Sequence, residues 1–508
     1  MGDNAGLHHS GSQKKNQNMS NSAAILAGVG IYMVLMIVIG FYAAKGSGTS
    51  TDFIVSGRRM PIWLCSMTLI ATWFGAGPMM GSAGASYEDG LLGVIADPFG
   101  GALVMLLCGL FFVRLFRRLK LLTFVELFTS RFGTSAATIA AVGSIISSTG
   151  WTAAMLVAFG SVFESLTGIP LETGIIGGAV VVLIYTSVGG MWAVALTDFV
   201  QMLIIAVGLI VLMTVVLIDV GGWSTILPQL PEHTFRMIPL ENSPTTWMNY
   251  LRAWLIFGLA DVTAQSLIQR AMSARTEQVA QNSFYLASFG YLVFGMIPVL
   301  LGIIASVTMP GLVDPEKVIP TMALEHLHPV AIAIFVGALM AAIMSTTDSA
   351  LLGAACVFSV NILPLFVREP SDRNRLLATR IAIPVFGSIA VITAIKAKVI
   401  YNLIQDANSV MLVSIVVPFI AGIWWKKANR TGVLASMAAG FVAWALSVRY
   451  APDWPGDLIG LLACLVTLLI VTPLTQTLDV PRPVRDGDGE AVELKDRLGT
   501  LPLFRNVQ

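Results

Sequence analysis

Charge is scarce in this chain. Asp, Glu, Lys and Arg make up 12% of its 508 residues, about half the share of a soluble globular domain. Hydrophobic residues reach 56% and mean hydropathy is +0.80, which excludes an ordinary soluble domain and points to lipid. The net charge of +1 removes any general attraction to nucleic acid. Cysteine is rare too: Cys65, Cys108, Cys356 and Cys464 all fall in apolar stretches without metal-type spacing, so small buried side chains are expected. The five histidines (His8, His9, His233, His326, His328) lie in the N-terminal tail and in predicted loops, which argues against a buried metal centre. Residues 1–22, with "QKKNQNMSNS", lack the apolar stretch and cleavage site of a signal peptide. They read as a disordered tail in which Met19 is an alternative start. No nucleophile–base pairing or metal motif supports an integral-membrane enzyme.

What is present is apolar sequence in span-length pieces. Thirteen segments run approximately 24–44, 61–86, 92–114, 135–166, 171–189, 194–219, 249–270, 279–308, 329–364, 377–395, 401–424, 431–449 and 457–475. Many approach or exceed the roughly 20 residues that cross a bilayer. One set of connecting segments, with Lys45, Arg58, Arg117, Arg270, Arg375 and Lys427 among them, collects 17 of the 30 basic residues. Such asymmetry marks the cytoplasmic side. The expected localisation is the plasma (inner) membrane, with the N-terminus outside and the C-terminus cytoplasmic.

Two spans are interrupted. The second contains "ATWFGAGPMMG", with Gly75, Gly77, Pro78 and Gly81; the seventh contains "FGLADVTAQS", with Gly258, Asp261 and Gln265 at membrane depth. Their starts lie five spans apart. Broken helices at matching places in two five-helix halves are a sequence pointer to an inverted-repeat transporter and its binding site, and they argue against a channel.

Polar residues concentrate in "AAIMSTTDSALLG", residues 341–353. On a helix Ala342, Ser345, Thr346 and Ser349 share a face, and Asp348 lies three residues from Ser345. Hydroxyl, carboxylate and freed carbonyl oxygens suit a hard monovalent cation, and the break in the second span would free carbonyls near Ala71 and Phe74. Hydroxyls alone could instead bond the preceding turn or glue helices; the intramembrane carboxylate favours the ion. Asp198, in "LTDFVQ", reads as a residue near the cytoplasmic end that snorkels to water. Asp97 and Asp261 are further acids at membrane depth, and each could hold a cationic substrate, bind a proton or pair with a polar neighbour. Trp73 and Trp151 fall inside spans, where an indole face either packs in the core or holds a quaternary ammonium.

The stretches "DFIVSGRRMPIWLCSMTLIATW", "LTFVELFTSRFG", "YTSVGGMWAVALTDFVQ", "IQRAMSARTEQVA" and "AAIMSTTDSALLGAACVFSVNI" occur in an order that resembles the sodium/solute symporter family, over roughly residues 24–475. The resemblance implies an all-α polytopic membrane protein with a LeuT-like inverted-repeat fold of 13 transmembrane helices, working by sodium-driven alternating access. It divides the chain into a tail (1–22), a peripheral first helix and cytoplasmic loop (23–60), a first five-helix repeat (61–219) and an extracellular loop (220–248). A second, inverted repeat (249–424), two peripheral helices (425–475) and a cytoplasmic tail (476–508) follow. Carried over, the sodium ligands are the carbonyls of Ala71, Phe74 and Ala342 and the hydroxyls of Ser345 and Thr346. A second sodium, held in some members, maps to Asp198, Ser345, Asp348 and Ser349, with Asp348 where some relatives have a small or hydroxyl residue. "TLIATWFGAG" and "LLCGLFFVRLFRR" look most like the high-affinity choline transporter branch. Trp73 and Trp151 match two positions of that branch's aromatic cage, while Gly101 and Ala264 stand at the other two, so half the cage is missing. The candidate substrate residues are therefore Trp73, Trp151, Asp97, Gly101, Asp261, Ala264 and Gln265.

The expected function is sodium-coupled symport of a small organic solute, a quaternary amine such as choline being one candidate, with lipid, sodium and solute as the partners. The alternative is a transporter-derived sensor that binds solute and signals to a partner; the segment 476–508 has no kinase motif to support it.

Overall fold

The computed structural model describes residues 28–43, 48–397 and 407–493. The expected disordered tail, Met19 and Lys45 lie outside the described residues. In chain order the helices are α1 (Gly28–Ala43), α2 (Ser50–Val55), α3 (Ile62–Trp73), α4 (Ser82–Asp89), α5 (Gly101–Phe111), α6 (Val113–Leu119), α7 (Val125–Phe132), α8 (Thr134–Thr167) and α9 (Leu171–Asp219). Then come α10 (Pro244–Gly258), α11 (Gln265–Ser273), α12 (Glu277–Thr308), α13 (Val318–His326), α14 (Pro329–Val357), α15 (Asp372–Ala397), α16 (Ala407–Trp424), α17 (Arg430–Tyr450) and α18 (Gly456–Leu474). Apart from two isolated bridges, the described residues form no β-structure.

The breaks fall where local chemistry weakens the helix. α3 stops at Trp73, Phe74 is non-helical, and a π-helical turn over Gly77–Gly81 leads into α4. Pro78 has no N–H to offer the Phe74 carbonyl four residues earlier, and the two glycines cost little to unwind. In the second half, α10 gives way to a 3-10 turn at Ala260–Thr263, and α11 continues at an angle of 50°. α9 has 49 residues, about 74 Å of helix, more than twice the roughly 30 Å hydrocarbon core. Gly190 interrupts it at φ +58°, ψ −149°, with the Phe53 carbonyl where a side chain would begin.

Among the described residues nine helices are long and apolar enough to cross a membrane, or ten if the bent α10–α11 pair counts as one span. The expected number of thirteen does not follow from length and hydropathy alone. α1 and α3 are short apolar pieces by this measure, and the interrupted α9 counts once.

α14 is the central helix: 78% of its most apolar stretch is buried inside the protein, against 28% for α15 and α18. It packs against α8, α9 and α3. α17 and α18 pair with each other, and α18 turns Leu462, Val466, Leu469 and Ile470 outward, an apolar face at helical spacing that suits lipid. The polar run of α14 thus sits at the centre of the molecule, facing the broken α3.

Candidate functional site

Where α3 ends, its Ala71 carbonyl meets α14. The Ser345 hydroxyl lies 2.9 Å from both the Ala71 and the Ala342 carbonyl oxygens, and Thr346 Oγ1 is 3.4 Å from the latter. Ala71, Phe74, Ala342 and Ser345 have no exposure. A Cβ at Gly75 would collide with the Thr346 side chain, so glycine is what lets the break approach α14. The group is a set of neutral oxygens in a dry setting, chemistry that fits a hard monovalent cation.

Deeper along α14 a second polar group has a cation of its own. Arg270, on α11, is fully buried and pairs with Asp198 Oδ2 at 3.2 Å. Its guanidinium also donates to Ser349 Oγ at 2.5 Å, the Ser266 carbonyl at 2.9 Å and Thr68 Oγ1 at 3.2 Å. Thr68 in turn donates to Asp198 Oδ2. This corrects two expectations. Asp198 does not snorkel to water, and Arg270 does not belong with the loop cations, because the turn of α11 carries it into the core. Asp348 accepts the Tyr185 hydroxyl at 2.6 Å and Ser349 Oγ at 3.1 Å. Ser345, expected to serve both groups, turns its hydroxyl to the first. Asp198 Oδ1 is buried without a hydrogen-bond partner among the described residues.

Between the two breaks lies a cavity with an empty volume of about 750 Å³, its mouth included. Six of the seven predicted substrate residues line it: Trp73, Trp151, Asp97, Asp261, Ala264 and Gln265. Gly101 does not. It backs onto Tyr291, whose Cε1 sits 2.7 Å from where a Cβ at 101 would be. The Gln265 amide is also engaged elsewhere, accepting from the Phe124 N–H at 3.1 Å and donating to the Leu122 carbonyl at 3.1 Å. Glu126 closes the same turn by accepting the N–H groups of Leu122 and Thr123, and burial raises its carboxyl above the usual carboxylate range against that pull.

Sequence reasoning missed Phe257 and Tyr291, the other two aromatics of the lining. Phe257 meets Trp151 edge to face at 6.1 Å, and Tyr291 meets Trp73 in the same way at 6.4 Å. It also missed Asn408, which accepts Trp151 Nε1–H at 2.7 Å and places its amide nitrogen 3.4 Å from Asp261 Oδ2. One signal was in plain view: Ser144, Ser147, Ser148 and Trp151 follow i, i+3, i+4, i+7 on α8 and all line the cavity. Among the described residues the lining holds two carboxylates, four aromatic rings and no basic residue.

The profile of the Sodium:solute symporter family matches residues 53–440. The chain belongs to that family. It is 28% identical over 434 residues to the Homo sapiens High affinity choline transporter 1, covering 81% of this chain and 74% of that protein. It is also 28% identical to the Escherichia coli Sodium/pantothenate symporter, over 86% of this chain and 94% of the relative. A solved Na+-coupled sialic acid symporter, substrate-bound and outward-open, superimposes with a TM-score of 0.78 at 20% identity, over 89% of this chain and 98% of that one. The fold is therefore LeuT-like, and the protein is an integral-membrane, sodium-coupled symporter of a small organic solute.

Proposed function

We propose that the solute is an organic ammonium ion, with choline as the defining probe. The observation that carries this reading is the lining: Asp97 and Asp261 face Trp73, Trp151, Phe257 and Tyr291, and among the described residues no base lines the cavity to neutralise them. Two carboxylates at membrane depth call for positive charge, and an aromatic face contributes roughly 2 kcal/mol to a desolvated ammonium. Sodium binds beside the cavity through the carbonyls of Ala71, Phe74 and Ala342 and the hydroxyls of Ser345 and Thr346. Thr346 belongs to both places, because it also lines the cavity. One sodium and one organic monocation then balance the two carboxylates. The entry of this sodium and the solute alone moves two charges, which at 100 mV supplies about 4.6 kcal/mol, enough for roughly a thousandfold accumulation before a second sodium adds its own charge.

A second sodium uses Asp198, Asp348 and Ser349. Among the described residues two carboxylates face one cation, Arg270, which leaves one negative charge, and Asp198 Oδ1 is an acceptor without a donor. Asp348→Asn is expected to raise the sodium concentration for half-maximal uptake roughly tenfold, as loss of ligand charge does in oxygen-ligand sites. Unchanged sodium dependence in a folded variant would assign Asp348 to structure. In this reading residues 61–219 and 249–424 form the two inverted repeats, and the basic-residue asymmetry sets the N-terminus outside and the C-terminus in the cytoplasm.

The test is choline uptake into proteoliposomes under an inward sodium gradient, compared with an equal potassium gradient. Sodium-driven accumulation is expected. Protein that sodium stabilises but that neither binds nor moves choline or any other ammonium compound would overturn the reading.

A further inference from the structure

Tyr291 stands where the cavity and the break in α3 meet. Its phenol donates to Asp97 Oδ1 at 2.6 Å and lies 3.3 Å from the Trp73 carbonyl oxygen. Its ring meets the rings of Trp73 and Phe74 edge to face at 6.4 and 6.1 Å. On its other side the ring takes the room of a side chain at 101: a Cβ there would come within 2.7 Å of Tyr291 Cε1 and 3.3 Å of Asp97 Oδ1. The Gly101 backbone is ordinary helix (φ −61°, ψ −43°), so the tyrosine ring, not the backbone, is what keeps that position bare. Tyr291 is itself 1% exposed, so it acts through the groups it touches.

We propose that Tyr291 is the positioning residue for recognition of the substrate's charge. Reaching in from α12, its ring braces Trp73 while filling the room beside Gly101, and its hydroxyl holds the Asp97 carboxylate toward the cavity. The space beside Gly101 is thus filled by the ring of a residue 190 positions later in the chain. The inference rests on the ammonium reading above.

The experiment compares choline with its uncharged isostere 3,3-dimethylbutan-1-ol, each binding to purified full-length protein in sodium. Tyr291→Phe keeps the ring and removes the hydroxyl. It is expected to shrink the preference for choline over the alcohol roughly tenfold, the size of one charge-assisted hydrogen bond, while sodium-dependent thermal stabilisation without solute stays as in wild type. A role in packing alone would weaken both ligands alike and leave their ratio unchanged. The steric half of the proposal is tested with Gly101→Phe. Alone it displaces the tyrosine and lowers choline affinity; combined with Tyr291→Ala it is expected to recover much of the affinity that Tyr291→Ala loses. A wild-type protein that does not distinguish choline from the alcohol overturns the ammonium reading and this inference together. A wild type that does distinguish them, with an unchanged ratio in Tyr291→Phe and no recovery in the double variant, overturns this inference alone.

Discussion

Replacing Arg270 with methionine is expected to destabilise the protein by about 3–5 kcal/mol, the cost of leaving one partner of a buried ion pair without its mate. Asp198 would keep its charge in a place with no exposure, and Ser349 and Thr68 would lose the guanidinium that orders them. The measurement is thermal unfolding in detergent, without solute. Asp198→Asn added to Arg270→Met should recover most of the loss, since removing both charges removes the desolvation penalty along with the attraction. A single variant that unfolds with the wild type would show that α9 and α11 hold together without this pair.

Asp261→Asn is expected to weaken choline binding at least about thirtyfold, from the 2–5 kcal/mol that one partner of a desolvated charge pair is worth. The change keeps the side chain's shape, and Asn408 remains beside it to bond an amide as it now approaches the carboxylate. Sodium binding without choline should be unaffected, because the Ala71–Ser345 group draws no ligand from Asp261. Equilibrium binding of radiolabelled choline at saturating sodium measures the effect. An affinity within a factor of two of wild type would put this carboxylate outside the substrate's reach.

Particular residues show how much was legible beforehand. The breaks at Phe74 and Ala260–Thr263 could be read because glycine and proline act on their own turn of helix. The run from Ser345 to Ser349 announced itself by polarity in apolar surroundings, and Asp97, Asp261, Trp73 and Trp151 stood out for being at the wrong depth. Arg270 was misread because "QRAMSAR" runs into a basic loop, and nothing near it in sequence reveals that its partner, Asp198, comes 72 residues earlier. Tyr291 and Asn408 left no mark at all. A tyrosine in an apolar span or an asparagine at a span's start is unremarkable until the carboxylate it serves is brought beside it, and Asp97 lies 194 residues from Tyr291.

The sequence by itself determined the membrane class, the two interrupted helices and the kinds of oxygen available to an ion. These follow from hydropathy, helix propensity and proline's missing N–H, which are properties of a residue and its near neighbours. Only the tertiary structure decided which carboxylate has a cation already, which serine faces which group, and which aromatics surround the cavity. Ion pairs, hydrogen bonds and ring contacts act over a few ångströms in space, and in this fold those few ångströms separate residues tens to hundreds of positions apart.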